Sequence, residues 1–350
     1  MSIILATGGL GFIGSHICLE ILDSGLDVLV VDSLINSSLD VINRIEKILS
    51  KKDKSKVGKL YFRKGDIRNY EFIESIFDEF LASKNPINSV IHLAGLKSIS
   101  DSIIDPLNYW DVNVNGTLNL LSVMKKNNCN TIVFSSSATI YNSKIKAKIG
   151  ENSELKPINP YGNTKFVIEN LLSDLSKSDK NKWRIANLRY FNPVGAHSSG
   201  QLGEDPKKNV NNLFPSIFGV IQKQVQYLSI YGNDWPTKDG TCVRDFIHIM
   251  DLAEAHLLVL NYLIKNEPQN LKLNIGTGKG FTVLEVINTF INEINLDLKY
   301  KFVDRRKGDY PEVVADNSLA KAILNWEPKR NLLDMCNDSW MWIKNKKKQR

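Results

Sequence analysis

Short apolar runs alternate with segments of helical spacing through the first half of the chain. Residues 2–6 (Ser-Ile-Ile-Leu-Ala) read as a buried strand and 27–31 (Asp-Val-Leu-Val-Val) as a second. Runs at 59–63, 89–93, 131–134 and 184–188 continue the series. Between them, Ile17, Leu19, Ile21 and Leu22 begin a helical pattern. Longer helices are predicted over 106–127, from Tyr161 past Leu175, and over 251–265. Strands separated by helices predict a parallel sheet with right-handed crossovers. In such sheets ligands bind beyond the carboxyl ends of the strands.

The first strand runs into Thr7-Gly8-Gly9-Leu10-Gly11-Phe12-Ile13-Gly14-Ser15-His16, and a helix follows. Strand, glycine turn and helix in that order turn a glycine triplet into a dinucleotide signature. Gly8, Gly11 and Gly14 permit the tight turn, close approach of a pyrophosphate and close helix packing. The phosphates then meet the positive end of the helix. Asp32 ends the second strand. An acid there suits a ribose hydroxyl pair and repels a 2′-phosphate, so NAD is favoured over NADP. Taken alone, Asp32 is equally a strand-end turn residue. Gly65-Asp66-Ile67 follows the third strand, at a position suited to an adenine contact.

The fold expected is therefore α/β, a Rossmann-type doubly wound parallel sheet with a smaller, interleaved α/β substrate domain. Beyond about residue 190 the alternation loosens, and loops rich in Gly, Asn, Asp and Pro occupy 195–212 and 232–241. Residues 1–189 with about 242–266 would form the NAD-binding domain. Residues 190–241 and 267–345 would form the substrate domain, and 346–350 a basic frayed tail.

Charge and cysteine content narrow the function classes. The chain has 350 residues, 43% of them hydrophobic, and a net charge of +7. Five cations lie in the last seven residues, and setting them aside leaves +2. The excess is terminal, so no nucleic acid is expected as a partner. The four cysteines are widely separated and form no CxxC, which predicts neither a disulfide framework nor a metal site. The apolar start is too short for a membrane span and shows no leader pattern, so no membrane partner and a cytoplasmic location are expected.

Tyr161 and Lys165 are one helical turn apart. An ammonium beside a phenol lowers the phenol's pKa and yields a base usable near neutrality. With 11 Tyr in the chain, about one Tyr-x-x-x-Lys pair is expected by chance. The pair carries meaning only beside a cofactor and a substrate.

Taken together, the segments TGGLGFIGSH, VVDSL, GDIRN, HLAGLKSIS, NVNGTLNLL, FSSSATIY, PYGNTK, LRYFNPVGAH, YGNDWPTKDGTCVRDFIHIMDLAEAH, LNIGTGKGFTV and RRKGD resemble the UDP-glucose 4-epimerase family. That family belongs to the extended short-chain dehydrogenases/reductases. The resemblance runs through essentially the whole chain in order. It implies inversion at C4 of a UDP-hexose through a transient 4-keto sugar, with tightly held NAD. It also implies a homodimer, with the helices near 106–127 and 161–176 at the interface.

By position, the resemblance makes Tyr161 the base on the sugar 4-hydroxyl and Lys165 its tuning partner. Ser137 would bond the same hydroxyl, with Thr139 in support. Contacts to NAD would come from Gly8, Gly11, Phe12, Ile13 and Gly14, then from Asp32, Asn36, Ser37, Asp66 and Ile67. Leu93, Ala94, Gly95, Lys97, Asn113, Ser135, Tyr161, Lys165 and Phe191 would complete that set. The UDP-sugar would meet Lys97, Asn192, Asn212, Leu213, Tyr231, Arg244, Arg306 and Asp309. Arginines suit a diphosphate because they present multiple planar donors, although each alone is most often a surface cation.

One departure concerns Val313. The family position four residues after the acid of the RRxGD segment borders the sugar. It is tyrosine in members restricted to glucose and galactose, and smaller in members that also take N-acetylated sugars. Val313 therefore implies that UDP-N-acetylhexosamines are accepted as well. Two other readings remain. One is a nucleotide-sugar dehydratase or C5-carboxylate epimerase on the same fold, although Ala138-Thr139 stands where a dehydratase carries an acid. The other is an NAD-binding scaffold, which need not keep Ser137, Tyr161 and Lys165 together.

Overall fold

The computed structural model describes residues 3–142, 148–179, 181–206, 212–306 and 308–348. The chain divides into two compact units. The first comprises Met1–Ile140, Leu155–Arg189 and Ala253–Leu273; the second comprises Tyr141–Glu154, Tyr190–Leu252 and Asn274–Arg350.

The first unit is built on strands β1 (Ile3–Thr7), β2 (Val28–Asp32), β3 (Leu60–Lys64), β4 (Ile87–His92), β5 (Thr131–Ser137) and β6 (Arg184–Tyr190). A further strand, Gln269–Ile275, completes a seven-stranded sheet. Its order is that strand, then β6, β5, β4, β1, β2 and β3. The pairings of β3 with β2, β2 with β1, β1 with β4 and β4 with β5 are all parallel. Every residue of β1 and β2 is buried, as their unbroken apolar runs require of central strands. Helices Phe12–Asp23, Tyr70–Ala82, Gly116–Lys126 and Pro160–Ser178 are among those that connect them. The core packs Ile73, Ile76, Phe77 and Phe80 with Leu120, Leu121 and Met124, and with Leu5, Val90 and Ile132.

The strand order reverses at β1, which lies between β2 and β4. This is the topological switch point where α/β sheets bind ligands. Two local features differ from the expectation. The stretch 106–127 is helical, but Trp110–Asn115 forms a wide π turn between Pro106–Tyr109 and Gly116–Lys126. The run predicted over 131–134 extends through the serines, so that β5 ends at Ser137.

The second unit carries short strands. Asn192–Val194 pairs in parallel with Phe246–His248, and Leu228–Tyr231 with Tyr300–Val303. Val243–Arg244 lies between Phe281–Thr282 and Glu312–Val313. Its core is aromatic. The Phe214 ring lies 5.5 Å from Phe290 and 6.0 Å from Phe246, a spacing that adds edge-to-face attraction to burial. The helix Leu332–Lys348 closes this unit. Lys346, placed in a frayed tail by the sequence, lies in that helix and its ammonium pairs with Asp205. Among the described residues no helix is long and apolar enough to cross a membrane.

Candidate active site

In the first unit the glycine turn is fixed by backbone packing. Gly8 has φ +69°, and its N–H donates to Val31 O at 2.8 Å. A Cβ on Gly8 would lie 2.7 Å from Ala94 N, and one on Gly14 would lie 2.4 Å from Gly8 O. Both positions thus require glycine for steric reasons. Gly11 opens the helix Phe12–Asp23. No side chain caps that end, and no acid sits in its first turn. The amide end is therefore available to an anion. Phe12 and Ile13 form that first turn.

Asp32 is buried at the end of β2. Its carboxylate accepts from Leu10 N at 3.0 Å, Leu34 N at 2.9 Å and Ser37 Oγ at 2.7 Å. Asp32 thereby ties the glycine turn to the following loop, where Asn36 is exposed. Asp66 pairs with Arg68 at 2.7 Å, which holds its carboxyl below the usual range. Ile67 is buried against Gly116.

The loop after β4 is the second wall. Leu93 N donates to Thr7 O at 3.1 Å. Asn113 is brought inward by the π turn and is 1% exposed. Its carboxamide accepts from Leu96 N at 2.7 Å, donates to Leu96 O at 3.1 Å and donates to Thr164 Oγ1 at 3.0 Å. The loop carrying Ala94, Gly95 and Lys97 is thus pinned to the helix Pro160–Ser178. A Cβ on Gly95 would stand 3.9 Å from Lys165 Nζ. Thr164 and Thr7 gave no signal in the sequence, because a lone threonine marks nothing by spacing.

Tyr161, Ser137, Thr139 and Lys165 converge at the end of β5. Ser137 Oγ accepts from Thr139 N at 3.2 Å and from Thr139 Oγ1 at 3.0 Å. The Ser137 hydroxyl in turn bonds Tyr161. Lys165 donates to Ser135 O at 2.7 Å. Its Nζ lies 4.8 Å from the centre of the Phe134 ring and 5.9 Å from that of Tyr161.

The electrostatics correct the expectation for this pair. Burial pushes the Tyr161 phenol up to about 12; the Ser137 hydrogen bond opposes the rise, and Tyr109 adds to it. Burial pushes Lys165 down to about 7. Desolvation disfavours the charged form of both groups. The lysine alone does not make the tyrosine a base.

In the second unit, Arg244, Arg306, Asp309 and Tyr231 form a linked group. Arg244 lies 3.5 Å from the Asp309 carboxylate and donates to Tyr310 O at 2.9 Å. Arg306 stacks its guanidinium 4.1 Å above the Tyr231 ring, and Asp309 N donates to Arg306 O at 3.1 Å. Val313 lies opposite Arg244 in register. Asn192 N donates to Asp245 O at 3.0 Å, which brings Asn192 to the residue after Arg244. Asn212 is exposed at the start of the helix Leu213–Ile221, whose first residue is half-buried. Phe191 is buried, and its N–H donates to Ile275 O at 3.2 Å.

Asp245 is the residue that sequence reasoning missed here. Fully buried, its carboxylate accepts from Thr277 N and Oγ1, both at 2.7 Å, from Gly278 N at 2.9 Å and from Ala315 N at 3.1 Å. Its own N–H donates to Val313 O at 3.1 Å. It thus locks the strand of Arg244 to Asn192, Val313 and the 277–278 turn. Among the described residues no cluster of side chains suits a metal ion.

The family model described as GDP-mannose 4,6 dehydratase matches residues 5–339. The UDP-glucose 4-epimerase of Bacillus subtilis is 44% identical over 339 residues, spanning 97% of this chain and 96% of that protein. Among solved structures, the UDP-glucose-4-epimerase of Stenotrophomonas maltophila, with bound NAD and formylated UDP-arabinopyranose, superposes with a TM-score of 0.93. It is 38% identical, and each chain is covered completely. The UDP-glucose 4-epimerase of Bifidobacterium longum, in complex with NAD+ and UDP, gives a TM-score of 0.89 at 39% identity, with 98% of each chain covered.

Proposed function

The chain belongs to the UDP-glucose 4-epimerase family, and we propose that it interconverts UDP-glucose and UDP-galactose by oxidation and reduction at C4. The observation that carries the reading is the convergence of Tyr161, Ser137 and Lys165 in the unit that also holds the glycine turn and Asp32. NAD suits that unit: the helix end after Gly11 carries no competing cap, and Asp32 offers an acceptor beside it. Gly8 to Gly14 would hold the pyrophosphate, Asp32 the adenosine ribose and Lys165 the nicotinamide ribose. When bound, NAD supplies the hydride acceptor and a positive ring.

Tyr161 Oη removes the proton from the sugar 4-hydroxyl and later returns it. Thr139 donates both of its hydrogens to Ser137 Oγ, which leaves the Ser137 proton free to point outward at the phenolate and the sugar oxygen. A phenol raised by burial needs added positive charge to ionise near neutrality. Lys165 and, when bound, the oxidised ring of NAD would supply that charge. Arg244, Arg306 and Asn212 hold the UDP, so binding energy resides in the nucleotide and leaves the sugar free to turn over.

Val313 presents a small side chain opposite Arg244, which supports acceptance of UDP-N-acetylglucosamine and UDP-N-acetylgalactosamine. A homodimer is supported by exposed Ile103, Ile104 and Leu107 at the 99–109 helices, with Ile104 81% exposed. A cytoplasmic site of action accords with four cysteines that are all free.

The test is to incubate purified protein with UDP-galactose and no added NAD. UDP-glucose as product supports epimerisation with retained cofactor. A 4-keto-6-deoxy sugar would instead support the dehydratase chemistry that the family model's description names, for which Ala138 supplies no acid after Ser137. Absence of turnover by the NAD-loaded protein would sink both.

A further inference from the structure

Glu169 lies one turn beyond Lys165 and two beyond Tyr161 on the helix Pro160–Ser178, so the three side chains share one face. Each meets a different member of the serine run of β5. Tyr161 meets the Ser137 hydroxyl, Lys165 the Ser135 carbonyl, and Glu169 the Ser136 hydroxyl. Arg189 of β6 grips Glu169 through two bonds, Nε to Oε1 at 3.0 Å and Nη2 to Oε2 at 2.6 Å. The Arg189 and Glu169 side chains are 0% and 2% exposed.

A buried ion pair is a poor stabiliser, since apolar replacements are often neutral or better. What a bidentate pair does supply is fixed geometry. Here it joins two strands of the sheet to the helix carrying Tyr161, two turns from the reacting hydroxyl. Neither Glu169 nor Arg189 has been assigned a contact with cofactor or sugar.

We propose that Ser136, Glu169 and Arg189 are positioning residues that set how deeply the helix Pro160–Ser178 docks on β5, and hence the Ser137–Tyr161 contact through which the proton moves. The inference rests on the epimerase reading. The phenol faces Ser137 from β5, Tyr109 from the helix Pro106–Tyr109, and Lys165 on its own helix; Asp101 lies near Tyr109. Of these, Ser137 is the contact that the triad controls. Its hydrogen bond favours the phenolate, so loosening it raises the pKa of the base. Because the base acts deprotonated, the acid limb of the kcat profile then moves to higher pH.

The experiment compares NAD-loaded wild type with Ser136→Ala, which removes one hydroxyl and little volume, and with Ser136→Thr, which keeps the hydroxyl. In Ser136→Ala, kcat for UDP-galactose should fall about five- to tenfold, well under the roughly hundredfold cost of a 1 Å misplacement. KM should stay within about twofold and bound NAD should be unchanged, since no nucleotide contact is removed. The acid limb should shift upward by about half a pH unit, and Ser136→Thr should restore both readouts. Ultraviolet titration of the Tyr161 phenol, taken as a difference against Tyr161→Phe, should show the same shift without turnover. Wild-type kcat and an unmoved limb in Ser136→Ala would overturn the proposal. So would activity lost only in proportion to lost NAD. If wild type itself turns over no UDP-galactose, the epimerase reading fails first, and an unshifted phenol titration then separately removes this one.

Discussion

Lys165 gives its hydrogen bond to the main-chain oxygen of Ser135 at 2.7 Å, while its Nζ stays 5.9 Å from the centre of the Tyr161 ring. The lysine thus bonds β5 directly and faces the phenol only at a distance. In the proposed mechanism, direct chemistry at the 4-hydroxyl falls to Tyr161, backed by Ser137. Tyr161→Phe should therefore keep the fold and bound NAD yet reduce epimerisation by about 10²–10⁴-fold, the usual worth of a general base. Absorbance of retained cofactor together with turnover of UDP-galactose checks this. Near-wild-type turnover would remove Tyr161 from the role of base.

The same lysine makes the stability of the NAD-free protein depend on pH. Its ordinary value of 10.5 is brought down to about 7 by burial. Below pH 7 the ammonium is held charged in a buried site, so the folded state bears the full cost of its desolvation. Between 7 and 10.5 the unfolded chain binds more protons than the folded one, and stability rises with pH. Thermal melts of NAD-free protein should thus climb from pH 7 toward 10, and Lys165→Met should flatten the climb. Parallel curves for the two proteins would contradict the assignment.

The parts of this arrangement that were legible in the sequence are local. The glycines at 8, 11 and 14, the acid at 32 and the Tyr161–Lys165 spacing each fit in one strand–turn–helix segment, where spacing along the chain equals geometry. The apolar runs of β1 and β2 were equally plain because both strands are buried on two faces. Asp245 was opaque: its partners Thr277, Gly278 and Ala315 are 32, 33 and 70 residues away. Strands of two or three residues, such as Val243–Arg244 and Asn192–Val194, are too short to show a period. The direction of the Tyr161 shift was misjudged for a related reason. Charge proximity can be read from spacing, whereas desolvation depends on everything packed around the pair.

Asp245 gives the second unit its own test. Its carboxylate accepts four hydrogen bonds, and its backbone bonds Asn192 and Val313. Asp245→Asn replaces one acceptor with a donor facing N–H groups, leaving buried donors unmatched at a cost of about 1–3 kcal/mol each. The strand bearing Arg244 should shift, raising KM for UDP-sugars about tenfold or more with bound NAD unchanged. Calorimetric titration with UDP measures the same loss without chemistry. An unchanged affinity for UDP would show that the strand holds its place without this carboxylate.

In the proposed reading, Val313 bears on which sugars fit. It lies opposite Arg244, with the strand Glu312–Val313 bonded through Asp245 N to Val313 O at 3.1 Å. The backbone there is fixed, so if Val313 borders the sugar as proposed, a larger side chain takes its volume from the sugar. Val313→Tyr adds an aromatic ring to a half-buried position and should exclude the N-acetyl group while sparing a plain hydroxyl. Turnover of UDP-N-acetylgalactosamine relative to UDP-galactose should fall at least about tenfold, in line with the 1–3 kcal/mol that small steric differences contribute to discrimination. The effect should appear in kcat/KM for the acetylated sugar alone, since Tyr161 and Ser137 are untouched. If the ratio holds steady, selectivity for the sugar is set elsewhere, and Val313 serves only to complete the three-stranded ribbon around Arg244.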